Sequence, residues 1–186
     1  CLLTGKQMGP DYGSLSTYTS FSELESAFEK MMDYFIDKMI PCLEEVEKAH
    51  IDILPTAFLS SVIDDCMEKG MDVTRGGAHY NVSGIQMIQV ANLADSLAAL
   101  KKLVYDERKI GADDLENALQ SNFVNNEVMR QMLQNRAPKY GNDVDWVDEL
   151  GAKWALKFRN KLRQYTNYRN GEYHTGMYTV SAHVPM

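Results

Sequence analysis

The sequence predicts a mainly α-helical segment that ends in one β-strand, with helices over about residues 20–165 and the strand over about residues 176–184. Apolar residues recur every three or four positions through most of the chain, which is typical of amphipathic helices. The turn-forming pair Asn170-Gly171 follows the last such stretch, and the residues after Gly176 alternate as in a strand. With 186 residues and 45% hydrophobic content, the chain is large enough to bury a core.

The first helix is predicted from Ser20, which caps it with the help of Glu23 three residues later. Pro41 lacks an amide hydrogen, so we expect it to kink or interrupt this helix. The apolar stripe on either side of the proline consists of Leu24, Phe28, Met31, Phe35, Met39, Leu43, Val46 and Ala49.

The next helix is predicted to begin at residues 54–56 and to end where Gly70 supplies a C-terminal cap. Its apolar positions are Phe58, Val62, Ile63 and Cys66. A loop with the sequence RGGAHYNVSG, residues 75–84, separates it from a helix with apolar positions at Val90, Leu93, Leu97, Leu100 and Val104.

Two short helices and one long helix complete the predicted helical part. Asp113 or Asp114 caps the first short helix, Asn125 or Asn126 caps the second, and Pro138 follows the end of the second. The long helix begins at Asn142 or Asp143, and its buried stripe comprises Val147, Leu150, Trp154, Phe158, Leu162 and Tyr165. A single strand has no partner for its peptide groups, so we expect the chain to be an internal segment of a longer protein.

Charge and cysteine content narrow the function classes. A net charge of -7 argues against binding to duplex nucleic acid, which needs a basic surface. No apolar run is long enough to cross a membrane, so small molecules and proteins are the expected partners. Cys1, Cys42 and Cys66 form no CxxC pair, which indicates reduced thiols in a cytosolic protein without a metal site.

The loop at residues 75–84 carries the first candidate site residue, Asn81. Gly76 and Gly77 suit positions that need a positive φ or a close backbone approach, and Asn81 can bond to backbone donors and acceptors. The loop is therefore either a packed crossing beneath an active site or a part of the substrate contact. A phosphate-binding loop is disfavoured because no Gly-Lys-Ser/Thr sequence follows.

Two histidines are candidates for acid–base chemistry, because histidine as a residue type can exchange a proton near neutral pH. His79 is interpreted as a hydrogen-bonded structural residue in preference to an acid or base, while both roles remain open for His183. In the predicted strand, Thr179, Ser181 and His183 share one face and Val180, Ala182 and Val184 share the other. The sequence leaves open which face looks inward.

Three further patterns are interpreted as structural. Asp64 and Asp65 are helix neighbours that point about 100° apart, so bonding on the helix surface or to a nearby loop is favoured over a catalytic pair. Lys153, Lys157 and Lys161 form a row typical of a solvated helix face, although such a row could also attract an anion. Met31, Met32 and Met39 are expected to fill a core or an interface.

Six motifs, in order along nearly the whole chain, resemble glycyl radical enzymes of the pyruvate formate-lyase-like branch. That branch includes glycerol, propanediol and hydroxyproline dehydratases, choline trimethylamine-lyase and arylacetate decarboxylases. The motifs are LLTGKQMG at 2–9, FLSSVIDDC at 58–66, GGAHYN at 76–81, VANLADSLAA at 90–99, APKYGND at 137–143 and VSAHVP at 180–185.

The resemblance implies a ten-stranded α/β barrel of two antiparallel half-sheets that is wrapped by helices. It implies a glycine radical, installed by an S-adenosylmethionine-dependent iron–sulfur activating enzyme, that passes to a cysteine and breaks a C–O, C–N or C–C bond of a small substrate. The family's Cys-x-Glu and Arg-Val-x-Gly motifs do not occur here, so this segment alone is expected to be inactive and to hold no catalytic residue and no cofactor.

The resemblance also implies where substrate contacts lie. It assigns residues 180–185 to a barrel strand near the pocket, so Ser181, His183 and Val184 are expected substrate contacts together with Asn81. A homodimer in the cytoplasm, in some members within a bacterial microcompartment, is the expected state. The alternatives are pyruvate formate-lyase itself, which transfers an acyl group to coenzyme A, and a non-catalytic helical interaction module.

Overall fold

The computed structural model describes residues 4–178, which are helical for most of their length and contain a two-stranded sheet. The helices are α1 Phe21–Ile53, α2 Ala57–Val62, α3 Cys66–Lys69, α4 Val90–Ala99, α5 Ala112–Gln120, α6 Glu127–Arg136 and α7 Asp145–Leu162. The strands are β1 Ser83–Ile88 and β2 Tyr173–Tyr178. Short 3-10 helices span Leu15–Thr17 and Val73–Arg75, and no helix within residues 4–178 has the length and apolarity needed to cross a membrane.

The described residues divide into two compact units. The first unit combines residues 4–32 and 88–155, and the second combines residues 33–87 and 156–178. Helices α1 and α7 contribute residues to both units.

The first unit has a core of aliphatic and aromatic side chains. Leu103, Val104, Ile110 and Leu115 form a buried cluster, and Leu133 of α6 packs against it. Trp154 on α7 is fully buried and meets Phe28 on α1 edge-to-face, with 4.7 Å between the ring centroids. The stripe predicted for the last helix is confirmed on α7 at four positions that are buried: Val147, Leu150, Trp154 and Leu162.

The cap predicted for the first helix is confirmed. The Glu23 amide donates to the Ser20 hydroxyl at 3.3 Å, and the Glu23 carboxylate accepts the Thr19 amide at 2.7 Å. We expected a kink or an interruption at Pro41, and the interruption is wrong, because α1 runs without a break from Phe21 to Ile53. Pro41 is exposed, so water can hydrate the carbonyl that loses its intrahelical donor.

Two predicted helices are divided. The helix predicted over residues 54–70 is split into α2 and α3, because Asp65 adopts a left-handed conformation with φ 71°. Gly70 caps the second piece as predicted, with φ 59° and its amide bonded to the Met67 carbonyl. The helix predicted around Leu97 continues beyond α4 as a π-helical segment over Leu100–Asp106, which the apolar spacing does not reveal.

The prediction of a single strand without a partner is wrong. β1 and β2 pair with one another, and the Ser83 amide donates to the Glu172 carbonyl at 3.0 Å at the start of the pairing. β1 alternates between half-buried and exposed residues, but it is only six residues long and begins with Ser83-Gly84. β2 begins at Tyr173, three residues before the predicted start, and the predicted continuation over 179–184 lies outside the described residues.

Candidate functional site

Of the four predicted substrate contacts, Asn81 is described, whereas Ser181, His183 and Val184 lie outside the described residues. The candidate site is therefore the surroundings of Asn81, between Asp72 and β1. The side chains that contact this loop, among them Asp72, Asn167 and Asp65, belong to the second unit.

The two glycines of the loop meet two different requirements. Gly76 adopts φ 88°, a conformation that side chains with a β-carbon rarely adopt. At Gly77 an added β-carbon would overlap the backbone carbonyl of Met71 and lie 3.0 Å from the Cys66 sulfur. We expected a positive φ or a close backbone approach at these glycines. The positive φ occurs at Gly76, and the close approach occurs at Gly77.

Asp72 organises the beginning of the loop. Its carboxylate accepts the Thr74 amide at 2.9 Å, the Thr74 hydroxyl at 2.6 Å and the Thr56 amide at 3.0 Å. The Ser60 hydroxyl lies 2.8 Å from the same carboxylate and accepts the Val73 amide at 2.9 Å. These hydrogen bonds, those from Thr74 foremost, hold the pKa of Asp72 far below its ordinary value.

Asn81 holds the middle of the loop. Its side-chain amide donates to the Gly76 carbonyl at 3.2 Å and to the Ala78 carbonyl at 3.0 Å. Its side-chain oxygen Oδ1 is buried and meets no donor among residues 4–178. Asn81 thus acts on the backbone of its own loop through the amide group and keeps one acceptor open.

Asn167 connects this loop to the turn that precedes β2. The Asn167 side-chain amide donates to the Asn81 carbonyl at 2.6 Å and to the Ser83 hydroxyl at 2.9 Å. Its side-chain oxygen accepts the Gly171 amide at 2.7 Å and the Arg169 amide at 3.1 Å. We call Asn81, Ser83, Asn167 and Gly171 the loop–turn clamp.

A charged pair borders the clamp. The Arg169 guanidinium donates to the Ser83 hydroxyl at 3.1 Å and lies 3.6 Å from the Glu47 carboxylate, which accepts the Tyr168 amide at 2.9 Å. Both charged side chains are largely buried, with 21% and 15% exposure. A cavity of about 170 Å³ adjoins them and is lined by Glu47, His50, Thr74 and Arg169.

His79 lies on the outer side of the loop. Its Nδ1 atom is 3.2 Å from the Asp65 carboxylate, which also lies 3.2 Å from the Lys69 ammonium. Hydrogen bonds from Lys69 and then His79 lower the pKa of the Asp65 carboxyl. Asp65 is thus bonded to a neighbouring loop, as its sequence position suggested, and His79 makes a hydrogen bond of the kind expected from its interpretation as a structural residue.

The lysine row on α7 forms ion pairs. The Lys153 ammonium lies 2.7 Å from the Glu25 carboxylate, and the Lys161 ammonium lies 2.7 Å from the Asp37 carboxylate. The Asp37 carboxylate also accepts the Tyr165 hydroxyl. These carboxylates already neutralise the two lysines, which disfavours an anion site along the row.

The polar contacts around Asn81 hold the loop and the turn in one conformation. No group of three or more potential metal ligands occurs within residues 4–178, and the polar side chains of the clamp bond chiefly to backbone. Four residues of the site were not predicted from the sequence: Asp72, Asn167, Arg169 and Glu47. Asp72-x-Thr74 is a turn signal that could have been noticed, but the contacts of Asn167 reach residues 84 and 86 positions away.

The chain resembles known proteins along its whole length. The family model described as pyruvate formate lyase-like matches residues 1–186. The chain is 36% identical over 186 residues to (2S)-3-sulfopropanediol dehydratase of Klebsiella oxytoca, covering 100% of this chain and 22% of the relative. It is 35% identical over 182 residues to trans-4-hydroxy-L-proline dehydratase of Clostridioides difficile, covering 98% of this chain and 23% of the relative.

Solved structures share the fold. The glycerol-bound B12-independent glycerol dehydratase of Clostridium butyricum matches with a TM-score of 0.88 and 40% identity, over 94% of this chain and 22% of that chain. Hydroxyproline dehydratase of Clostridioides difficile with its substrate bound matches with a TM-score of 0.87 and 36% identity, over 92% of this chain and 22% of that chain. The chain thus spans somewhat over a fifth of the length of these relatives.

Proposed function

Because the chain belongs to the pyruvate formate lyase-like family of glycyl radical enzymes, we propose that the protein is a radical dehydratase or lyase acting on a small molecule. The observation that carries the proposal is the 36% identity to a dehydratase over all 186 residues, together with comparable identity to a second dehydratase. The relatives described above remove water from a substrate, which favours dehydration over acyl transfer to coenzyme A and over a purely structural module.

The reaction that we propose starts with hydrogen abstraction from the substrate by a cysteine thiyl radical and continues with cleavage of an adjacent C–O, C–N or C–C bond. The cysteine motif and the radical glycine motif do not occur in residues 1–186, so we propose that neither the thiyl cysteine nor the radical glycine belongs to this segment. The radical would be installed on the protein by an S-adenosylmethionine-dependent activating enzyme, and we propose a cytoplasmic homodimer as the active form.

The segment's own part in this function is to build a wall of the active site. We propose that β1 and β2 belong to a larger barrel of ten strands and that the helices wrap its outside. In that arrangement Asn81, Ser181, His183 and Val184 would lie near the substrate. The structural task of the segment would be to exclude water and oxygen from the radical.

Two experiments test the proposal. Sequencing the coding DNA on both sides of this segment is expected to reveal an in-frame Cys-x-Glu motif upstream and an Arg-Val-x-Gly motif downstream. The protein incubated anaerobically with its activating enzyme is expected to show a glycyl radical by electron paramagnetic resonance. It should then dehydrate one of a panel of glycerol, propane-1,2-diol, trans-4-hydroxy-L-proline and (2S)-3-sulfopropanediol.

The outcomes separate the alternatives. Absence of both motifs and of the radical would contradict a glycyl radical enzyme. A radical-bearing protein that forms acetyl-coenzyme A and formate from pyruvate and coenzyme A, and leaves the panel unchanged, would instead identify pyruvate formate-lyase.

A further inference from the structure

We propose that Asn167 is a positioning residue for the reaction, because its one side chain fixes where β2 starts relative to β1. The inference rests on the proposed function. Asn167 contacts the backbone carbonyl of Asn81, the one predicted substrate contact that lies within residues 4–178.

Asn167 first shapes the turn before β2. Its backbone amide donates to the Gly171 carbonyl at 2.8 Å, and its side-chain oxygen accepts the Gly171 amide at 2.7 Å. Its backbone carbonyl accepts the Asn170 amide at 3.0 Å. The chain reversal over residues 167–171 is therefore closed by one residue, which is 97% buried because only 3% of its surface is exposed.

The same side chain then attaches this turn to the start of β1. Its amide group reaches the Asn81 carbonyl and the Ser83 hydroxyl, and Ser83 makes the first pairing bond with Glu172. Gly171 lies so close to Asn81 that an added β-carbon would overlap the Asn81 carbonyl oxygen. The register of the two strands is thus set at this end by contacts to one asparagine.

No other side chain provides the same set of bonds. The site requires two donors on one side and an acceptor on the other, which a carboxamide of this length supplies. Aspartate has the same shape and keeps the acceptor for the Gly171 and Arg169 amides. Its second oxygen would face the Asn81 carbonyl and the Ser83 hydroxyl, whose proton is donated to the Glu47 carboxylate. Asn167→Asp therefore loses both donors to the β1 side and keeps the acceptor on the turn side.

The link to function is the position of Asn81, a predicted substrate contact. The Asn167 amide group donates to the Asn81 carbonyl, and Gly171 lies against the same carbonyl. A change at Asn167 therefore displaces the backbone of Asn81. A displacement of 1 Å in an active site can cost about 100-fold in rate.

The test measures the turnover rate per radical in the protein activated as described under the proposed function. We expect Asn167→Asp to lower kcat per glycyl radical about 100-fold on the panel compound that the wild type dehydrates fastest. Asn170→Asp is the matched control, because it adds the same charge at an exposed position three residues away and should leave the rate unchanged. Normalising to the radical separates positioning from a loss of folded protein, which lowers radical content and turnover together.

A second variant and a second readout complete the test. Ser83→Ala removes one of the two acceptors of the Asn167 amide group and should lower the same rate about 10-fold, which decides the matter if Asn167→Asp does not fold. Hydrogen exchange of the Ser83 amide should accelerate at least tenfold in Asn167→Asp relative to Asn170→Asp, an arm that requires no activity. A wild-type rate per radical in the folded variants, or unchanged Ser83 exchange, would overturn the inference, whereas absence of the radical in the wild type would contradict only the proposed function.

Discussion

The loop–turn clamp and the short helix α2 belong to the same unit but differ in how their side chains are accommodated. The clamp buries polar groups and pairs nearly all of them within the chain. On α2, Phe58, Leu59 and Val62 are large apolar side chains that remain open to solvent, Phe58 with 86% exposure. We call these three residues the α2 apolar surface.

This difference distinguishes a region that is stabilised by contacts within the segment from a region whose side chains are available for contact with another surface. Buried polar groups that find partners in the chain specify one local conformation. Clustered exposed apolar side chains, by contrast, are typical of interaction surfaces. The α2 apolar surface and Asn81 of the clamp both fall within motifs that resemble glycyl radical enzymes, so sequence similarity alone does not distinguish their roles.

The largest effect on the free energy of unfolding is expected at Gly171, where the turn lies closest to the Asn81 carbonyl. Gly171→Ala should lower the free energy of unfolding by about 3 kcal/mol, because the new methyl group would overlap the Asn81 carbonyl. Gly84→Ala is the control, since its methyl group would meet only the Gln86 side chain at 4.0 Å. Urea unfolding measures both variants, and equal midpoints would show that the clamp tolerates displacement.

A smaller effect is expected from pH at the start of the loop. The folded state holds the pKa of Asp72 below its unfolded value of about 3.9, so its contribution to stability is complete above that pH. The contribution should be lost as the pH falls below about 4 towards the folded pKa. Thermal unfolding at pH 7 should therefore separate Asp72→Asn from the wild type, and the gap should narrow by pH 3.

The control for this pH effect is Asp64→Asn. Asp64 is exposed, and its carboxylate accepts no hydrogen bond from the described residues, so this variant should follow the wild type at every pH. A gap between Asp72→Asn and the wild type that is as wide at pH 3 as at pH 7 would rule out the ionised carboxylate as its source.

The smallest effect on folding is expected at the α2 apolar surface. Phe58→Ser should change the free energy of unfolding by no more than about 0.5 kcal/mol, because the ring is already in water. Ile40→Ser, at a residue with 5% exposure, is the contrasting variant and should cost about 3 kcal/mol. A comparable cost for both variants would show that Phe58 is packed.

Most of the helices could be predicted from the sequence, because the residues that determine them lie close together along the chain. The capping pair Ser20 and Glu23 and the buried stripe around Trp154 lie within a few residues of what they determine. The left-handed Asp65 and the π-helical segment escape such patterns, since tertiary contacts override helical spacing there.

The strands and the clamp are harder to predict from the sequence, because the residues that contact one another lie far apart along the chain. β1 has six residues, and its alternation gains meaning only beside β2, about 90 residues later in the sequence. The two loop glycines and Asn81 were recognisable as special positions, whereas nothing near Asn167 shows that its amide group bonds to Asn81 and Ser83. The sequence therefore predicted the loop part of the candidate site, at the two glycines and Asn81. It did not predict the turn part at Asn167.

The most direct test of the contrast between the two regions is a pair of double-mutant cycles followed by urea unfolding. Ser83→Ala and Asn167→Ala remove two groups in contact at 2.9 Å, so the account predicts a coupling energy of about 1 kcal/mol. Phe58→Ser and Asn167→Ala should instead add within about 0.5 kcal/mol, because Phe58 is exposed to solvent. Additive effects in the first cycle, or equal coupling in both, would contradict the account.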